Sequence, residues 1–250
     1  RELHIYDRML HATKHRESRI FPEKYQPFIV GSLDYEQMLT AYRQYKLFLN
    51  INTVQDSPTM FSRRVFEILA CGTPVVSTHS DGMKAMLGNH VHIVNNKDEA
   101  KNIVQQLLKS DLRREILGHQ AARHCLLYHS YEKRFKQILN TVGINTSPLK
   151  DDKISIIICT NRLQNIDMLI DNYQRQSHEN KELLLILNND DFDIDLIKNK
   201  TRGIPNVYIY QLSQETTLGD CLNYGVAHAS GHYIAKMDDD DYYGGNYLLD

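Results

Sequence analysis

Short runs of apolar, β-branched residues alternate with amphipathic helical segments along the whole chain. Alternation of this kind places successive strands parallel and side by side, with the helices covering the faces of the sheet. In the second part of the chain it predicts strands at 153–159, 183–188, 206–211 and 232–237, with helices around 164–175, 193–200 and 217–229. We therefore predict an α/β fold with doubly wound, mainly parallel sheets.

Charge divides the chain into two parts. Residues 1–150 carry 21 Lys and Arg against 14 Asp and Glu, whereas residues 151–250 carry 8 against 17. A polar stretch with Gly, Ser and Pro, "NTVGINTSPLKDDK", spans 140–153 at this break, and such composition is typical of a linker. We predict a first domain at 1–145, a linker at 146–152 and a second domain at 153–250.

Several classes of protein are disfavoured by composition. No apolar run reaches the roughly 18–20 residues of a membrane span, and no dense Lys/Arg run indicates a nucleic-acid partner. The four cysteines have no close pair, which favours reduced thiols in a cytoplasmic protein. The basic first part leaves peripheral contact with a membrane open as an alternative. Because the chain starts at Arg1 inside a strand-like run and stops at Asp250 after an acidic cluster, we expect a segment of a longer polypeptide.

The segment "SPTMFSRRVFEILACG", 57–72, predicts a helix with Ser57 as N-cap, Pro58 at the first helical position and Gly72 at its end. With the strand that follows, "RRVFEILACGTPVVS" resembles the donor-side domain of glycosyltransferases with two facing Rossmann domains (the GT-B fold), in particular group 4 enzymes and their CgeB-like branch. "HSYEKR" at 129–134 is similar to the closing helix of that branch. The resemblance covers most of residues 1–140.

This first resemblance implies a nucleotide-sugar site. Glu67 would accept hydrogen bonds from the donor ribose, Arg64 would face the diphosphate, and Gly72 and Thr73 would bring backbone amides near the ligand. The alternative is an ordinary amphipathic helix with a solvated Glu67. Thr59 stands where group 4 enzymes carry an earlier Glu, which leaves open a domain that binds donor without transferring sugar.

Polar segments follow three predicted strands of the second part: "CTNR", "NNDD" and "DDDD". Ligands of open α/β sheets collect at the carboxyl ends of strands. "ISIIICTNR", "KELLLILNNDD" and "LGDCLNYGVAHASGHYIAKMDDDD" together resemble family 2 glycosyltransferases (the GT-A fold, one Rossmann-like nucleotide domain). By that resemblance the nucleotide-sugar contacts are Thr160, Asn161, Arg162, Asn189, Asp190 and Asp238.

The acidic ending also predicts a metal site. Hard carboxylate oxygens suit Mg²⁺ or Mn²⁺, which neutralises the diphosphate as the glycosidic bond breaks. We expect Asp238 and Asp240 as the Asp-x-Asp pair, with Asp241 as a further candidate ligand, and Lys236 as a merely solvated side chain. The alternatives are strand-end capping by 160–162 and a solvated acidic turn.

Together these features predict transfer of a sugar from a nucleotide-diphospho-sugar, with UDP-linked donors favoured and a glycan or surface polymer as acceptor. Family 2 enzymes are typically inverting, and their catalytic base follows the Asp-x-Asp strand, here beyond residue 250. No catalytic residue is therefore assigned, and we expect the 250 residues alone to turn over poorly. A non-catalytic nucleotide-sugar-binding scaffold and a metal-dependent phosphoryl-transfer enzyme remain the alternatives.

Overall fold

The computed structural model describes residues 3–11, 20–144, 146 and 152–250. The chain divides into two compact units, Arg1–Thr146 and Ser147–Asp250. Most of the predicted linker at 146–152 lies outside the described residues. Within the described ranges, no helix is long and apolar enough to cross a bilayer.

The first unit contains two small parallel sheets. The strands are β1 (Ile5–Tyr6), β2 (Ile29–Gly31), β3 (Phe48–Asn50), β4 (Val75–Thr78) and β5 (His92–Val94), in the orders β1-β2 and β3-β4-β5. The helices are α1 (Tyr35–Gln44), α2 (Arg64–Ala70), α3 (Asp81–Leu87), α4 (Lys97–Lys109), α5 (Asp111–Tyr128) and α6 (Tyr131–Thr141), with 3-10 turns at Glu23–Phe28 and Gly88–His90.

A close contact between α5 and the end of α2 fixes the core of this unit. A Cβ built on Gly118 would lie 1.9 Å from the carbonyl oxygen of Gly72, so the two backbones meet without an intervening side chain. Leu69 and Val75, on either side of that turn, are fully buried. Gly72 has a φ of +76°, a left-handed conformation that favours glycine.

The predicted start of α2 is wrong. Ser57 accepts hydrogen bonds from the amides of Thr59 and Met60 and so forms a local turn, and the helix begins only at Arg64. The Ser57 carbonyl also accepts from the amide of Gly82 in α3, a short helix that the sequence did not predict. This contact with α3 holds residues 57–59 outside the helix.

The second unit is one parallel sheet in the order β8-β7-β6-β9. Its strands are β6 (Ile154–Thr160), β7 (Lys181–Asn188), β8 (Val207–Leu212) and β9 (Tyr233–Met237), and its helices are α7 (Ile166–Arg175), α8 (Ile194–Lys200) and α9 (Leu218–His228). The central strands β6 and β7 are buried on both faces, as their continuous apolar sequences predict. The parallel sheets of both units confirm the predicted α/β fold with two Rossmann-like domains.

Candidate functional site

Three loops meet at the carboxyl edge of the second unit's sheet. β6 lies between β7 and β9, so the segments that follow these strands are neighbours at one edge. Thr160 is the last residue of β6, Asn188 ends β7 and Met237 ends β9. The order of the strands, rather than proximity in sequence, therefore brings the three polar segments together.

Side chains join the loop after β6 to the loop after β9. The Thr160 hydroxyl donates to Asp239 Oδ2 at 2.7 Å, and Arg162 Nη1 donates to Asp240 Oδ2 at 2.9 Å. Arg162 Nη1 also lies 3.5 Å from Asp239 Oδ1. The hydrogen bond from Arg162 holds the pKa of the Asp240 carboxyl below its ordinary value. The predicted nucleobase loop and the acidic cluster thus form one continuous site.

The four consecutive aspartates have different environments. The side chain of Asp239 is only 15% exposed, whereas those of Asp238 and Asp240 are 50% and 60% exposed. Asp241 is exposed as well. Asp239 therefore interacts within the protein, whereas the predicted Asp-x-Asp pair, Asp238 and Asp240, and Asp241 are exposed to solvent.

Lys236 was predicted to be only solvated, and this prediction is wrong. Its Nζ forms an ion pair with Asp238 Oδ1, two residues further along the chain. The hydrogen bond to Asp238 raises the pKa of Lys236. The two exposed members of the Asp-x-Asp pair thus each have a protein cation beside them, Lys236 for Asp238 and Arg162 for Asp240.

The residues of the acidic loop fit a divalent cation by their donor chemistry. Mg²⁺ and Mn²⁺ take hard oxygen ligands and are commonly held by one or two carboxylates together with substrate phosphates. Over the described part of the chain, no group of three or more His, Cys, Asp or Glu side chains is arranged to hold a metal. A site in which two carboxylates and a diphosphate share the cation needs no third protein ligand. A bound cation would compete with Lys236 and Arg162 for the carboxylates of Asp238 and Asp240.

The loop after β7 is held through its backbone. Gln211 Nε2 on β8 donates to the carbonyls of Asn189 and Asp190 at 2.9 and 3.3 Å. The Asn189 side chain accepts from the amide of Asp191, and Asp190 is exposed. Asn161, in the loop after β6, is also exposed. These predicted contacts therefore lie on the same edge as the acidic loop.

In the first unit, Arg64 and Glu67 lie in the first turn of α2. Glu67 accepts from Arg63 Nε at 3.0 Å and its side chain is 18% exposed. Arg64 is exposed and lies beside the hydroxyl of Tyr42. Burial raises the pKa of the Tyr42 hydroxyl, and the positive charge and hydrogen bond of Arg64 partly offset this rise. The structure thus brings Arg64 and Glu67 to one end of the helix.

Gly72 and Thr73 lie beyond the carboxyl end of α2, which ends at Ala70. Their amides donate to helix carbonyls, Gly72 to Leu69 at 2.9 Å and Thr73 to Ile68 at 3.3 Å. Both line a cavity of about 240 Å³ that neither Arg64 nor Glu67 lines. These two amides are therefore occupied, and they are separated from the other predicted donor contacts.

Sequence reasoning missed the residues that hold the loops. Three neutral amide side chains stand where an amphipathic pattern would place apolar ones. They are Asn172 on α7, Gln176 directly after α7, and Gln211 on β8. Asn172 and Gln176 are four residues apart and flank the buried Tyr173. That spacing on the inward face of a helix was the available signal.

Two family comparisons cover nearly the whole chain. Residues 3–140, more than half of the chain, match the family described as glycosyl transferase-like, and residues 155–250 match glycosyl transferase family 2. The chain therefore belongs to the glycosyl transferase-like family and continues into a family 2 segment. This order confirms the predicted tandem of two glycosyltransferase segments.

Solved structures of TarS from S. aureus are similar to part of the chain. TarS itself gives 25% identity and a TM-score of 0.34 over 38% of this chain and 18% of TarS. TarS 1–349 has 26% identity and a TM-score of 0.32 over 36% of this chain and 28% of that structure. Its complex with UDP has 25% identity and a TM-score of 0.34 over 38% of this chain and 30% of that structure. The chain thus spans less than a third of each TarS structure, and such TM-scores support no inference from it. No curated protein matches the chain.

Proposed function

We propose that the second unit binds a nucleotide-diphospho-sugar and takes part in transferring its sugar to an acceptor hydroxyl, on a glycan or surface polymer. One observation carries the proposal: the loops after β6 and β9 are joined by Thr160–Asp239 and Arg162–Asp240 contacts at the carboxyl edge, while Asp238 and Asp240 stay accessible. The membership of glycosyltransferase families supports the same reaction class.

The nucleoside contacts are assigned to the two loops beside the acidic one. Asn161 and Arg162, in the loop that begins at Thr160, face the nucleobase, and Asn189 or Asp190 holds the base or ribose. The exposed carboxylate of Asp190 and the exposed amide of Asn161 suit hydroxyl and base edges as hydrogen-bond partners. Thr160 contributes by tying the loop to Asp239. UDP is the nucleotide to test first, because family 2 resemblance implies it.

Asp238 and Asp240 are the proposed ligands of Mg²⁺ or Mn²⁺, with Asp241 as a third candidate. When bound, such a cation neutralises the diphosphate that leaves with the nucleotide. The contribution of the chain itself is to keep two carboxylates exposed and adjacent on a loop whose third carboxylate, Asp239, is engaged. Arg162, once released from Asp240, is a cation of suitable reach for a phosphate oxygen.

The transfer itself is proposed to invert the anomeric configuration. The acceptor oxygen forms a bond to the anomeric carbon as the bond from that carbon to the diphosphate breaks, and a carboxylate takes the hydroxyl proton. None of the residues assigned above is given the role of that base. By the family 2 resemblance, that base follows the Asp-x-Asp strand along the chain.

For the first unit, we confine the proposed nucleotide-sugar contacts to Arg64 and Glu67. Gly72 and Thr73 are left out because their amides are occupied within the protein. Thr59 lies in the turn against α3 and supplies no carboxylate where group 4 enzymes have one. This departure favours a first unit that binds donor without transferring sugar.

Ligand-induced stabilisation tests the proposal directly. A ligand at 100 times its Kd stabilises the folded state by about 2.7 kcal/mol. We expect UDP or a UDP-sugar to raise the unfolding temperature of the full chain only when Mn²⁺ is present. Asp238→Asn and Asp240→Asn should each abolish the Mn²⁺-dependent part, whereas Asp195→Asn, an exposed matched control on α8, should retain it.

The outcomes separate the alternatives. A shift that survives both aspartate substitutions would leave the acidic loop structural and favour a nucleotide-sugar-binding scaffold. Release of phosphate from a nucleotide without any sugar acceptor would instead favour phosphoryl transfer. A cytoplasmic location stays a prediction, with peripheral contact to a membrane as the alternative, and fractionation of cells that express the protein tests it.

A further inference from the structure

Two buried side-chain amides lie beside the acidic loop: Asn172 in the last turn of α7, and Gln176 directly after that helix. Asn172 is 0% exposed and Gln176 is 3% exposed. A buried amide is costly unless its donors and acceptor are hydrogen-bonded. Both amides have partners in the segment 241–248, which follows directly on the Asp-x-Asp pair. Asn172 Oδ1 also accepts from Arg175, and Gln176 Nε2 also donates to the carbonyl of Asn172.

Each amide uses its donor and its acceptor on that segment. Asn172 Nδ2 donates to the carbonyl of Asp241 at 2.8 Å, and Asn172 Oδ1 accepts from the amide of Tyr243 at 3.1 Å. Gln176 Nε2 donates to the carbonyl of Gly244 at 3.0 Å, and its Oε1 accepts from the amide of Leu248 at 3.3 Å. The backbone of the loop is thereby fixed at four points.

The neighbouring residues of α7 add to this attachment. Arg175 donates to the carbonyl of Tyr243 at 3.2 Å and lies 4.4 Å from the ring of Tyr242, and the amide of Ser177 donates to the carbonyl of Gly245 at 2.6 Å. None of these contacts involves an aspartate carboxylate. The helix therefore holds the loop while leaving its carboxylates for Lys236, Arg162 or a ligand.

Neutral amides suit this task for an electrostatic reason. A lysine or arginine in place of Asn172 would add another cation within reach of the carboxylates and compete with a divalent ion. A carboxylate there could accept from the Tyr243 amide but could not donate to the Asp241 carbonyl. Only an amide or a similar neutral donor–acceptor satisfies both backbone groups.

We propose that Asn172 and Gln176 are positioning residues for the donor site, which hold residues 241–248 so that Asp238 and Asp240 keep the spacing that a divalent cation and a diphosphate require. This inference rests on the proposed function of the acidic loop. Gln211 performs the corresponding task for the loop after β7, through the carbonyls of Asn189 and Asp190.

Isosteric substitutions in the full 250-residue chain test the proposal. Asn172→Asp and Gln176→Glu keep shape and acceptor oxygens but remove the donors to Asp241 and Gly244. Asn199→Asp is the matched control, because its exposed side chain accepts from Arg202, as a carboxylate also can. Two readouts are measured: Mn²⁺ affinity in the presence of UDP, from the electron paramagnetic resonance of free Mn²⁺, and hydrogen exchange of residues 238–248.

We expect Asn172→Asp and Gln176→Glu each to weaken Mn²⁺ binding by roughly 10-fold or more, the usual effect of removing groups that orient metal ligands. Exchange in 238–248 should accelerate while exchange in β7 stays slow, which shows that the sheet is intact. Asn199→Asp should behave as wild type. Gln211→Glu should weaken UDP binding measured in the presence of Mn²⁺ and leave exchange in 238–248 unchanged.

Unchanged Mn²⁺ affinity in both variants, with β7 still protected, would overturn the proposal. Unchanged exchange in 238–248 would overturn it as well, because the loop would then be held by other contacts. If wild type itself retains no Mn²⁺, the proposed metal-assisted transfer fails, whereas faster exchange in the variants would still establish that the amides hold the loop. If Asn172→Asp does not fold, Gln176→Glu decides.

Discussion

A buried carboxylate at the amino end of the second unit's sheet offers the strongest stability prediction. Glu182 on β7 is 1% exposed and accepts four hydrogen bonds. The donors are Lys153 Nζ at 2.5 Å, Ser155 Oγ at 2.6 Å, and the amide and hydroxyl of Ser230 at 2.7 and 2.8 Å. The group joins β6, β7 and the turn before β9.

The magnitude follows from the pKa of Glu182. Burial by itself raises that pKa, but the hydrogen bonds from Lys153, Ser155 and Ser230 outweigh burial and lower it from 4.5 to about 2. At 1.36 kcal/mol for each pKa unit, the difference corresponds to about 3 kcal/mol. Because the folded pKa lies below the unfolded one, this stabilisation is complete above pH 4.5 and is lost as the pH falls towards 2.

Glu182→Gln should therefore destabilise the second unit by about 3 kcal/mol near neutral pH, since the new amide places a donor against Lys153. For a unit of about 100 residues this lowers Tm by roughly 12 °C, at about 4 °C for each kcal/mol. Hydrogen exchange of β6 and β7 in the full chain reports on this unit alone. Glu179→Gln, at an exposed site nearby, is the matched control.

The pH dependence gives the sharper test. The stability difference between wild type and Glu182→Gln should shrink between pH 4.5 and 2, because the wild-type carboxylate becomes protonated there. A variant within about 0.5 kcal/mol of wild type at pH 7 would refute the reasoning, since changes of that size are typical of ordinary surface substitutions. So would a difference that stays constant down to pH 2.

Three further substitutions test the first unit, each by thermal unfolding and hydrogen exchange of α2 and α5. Gly118→Ala should cost about 3 kcal/mol or more, because its Cβ would lie 1.9 Å from the Gly72 carbonyl oxygen. Gly72→Ala should cost only about 1–2 kcal/mol, since its φ is +76° but no atom lies within 4 Å of the added Cβ; equal costs at the two glycines would contradict this ranking. Ser110→Ala should cost about 1 kcal/mol by removing the cap on the Arg113 amide at the start of α5.

Strong local patterns made most of the second unit predictable. β6 was predicted at 153–159 and found at Ile154–Thr160, and β9 was predicted at 232–237 and found at Tyr233–Met237. The apolar sequence of β6 is typical of a strand buried inside a parallel sheet, whereas β9 is an edge strand and largely exposed. The meeting of the three polar loops at one edge followed from that topology.

Contacts distant in sequence account for what was not predicted. Ser57 and Pro58 have the chemistry of a helix start, but the contact between the Ser57 carbonyl and the Gly82 amide keeps them in a turn. Lys236 occupies a position that the alternating pattern of β9 predicts to be exposed. Its ion pair with Asp238 depends on the path of the loop after β9, which the pattern does not predict. The sequence of four identical aspartates also could not show that Asp239 is the one hydrogen-bonded by Thr160, because Thr160 lies 79 residues away in the chain.

The long sequence separation between the loops after β6 and β9 affects when, during synthesis, the chain becomes able to bind nucleotide. Thr160 and Arg162 emerge early during synthesis of the second unit, but their partners Asp239 and Asp240 follow the last strand of the sheet. Contacts between residues so far apart form late, because the intervening chain must first be ordered. We therefore expect nascent chains that stop before β9 not to bind nucleotide, so that ligand binding reports that β9 has joined the sheet.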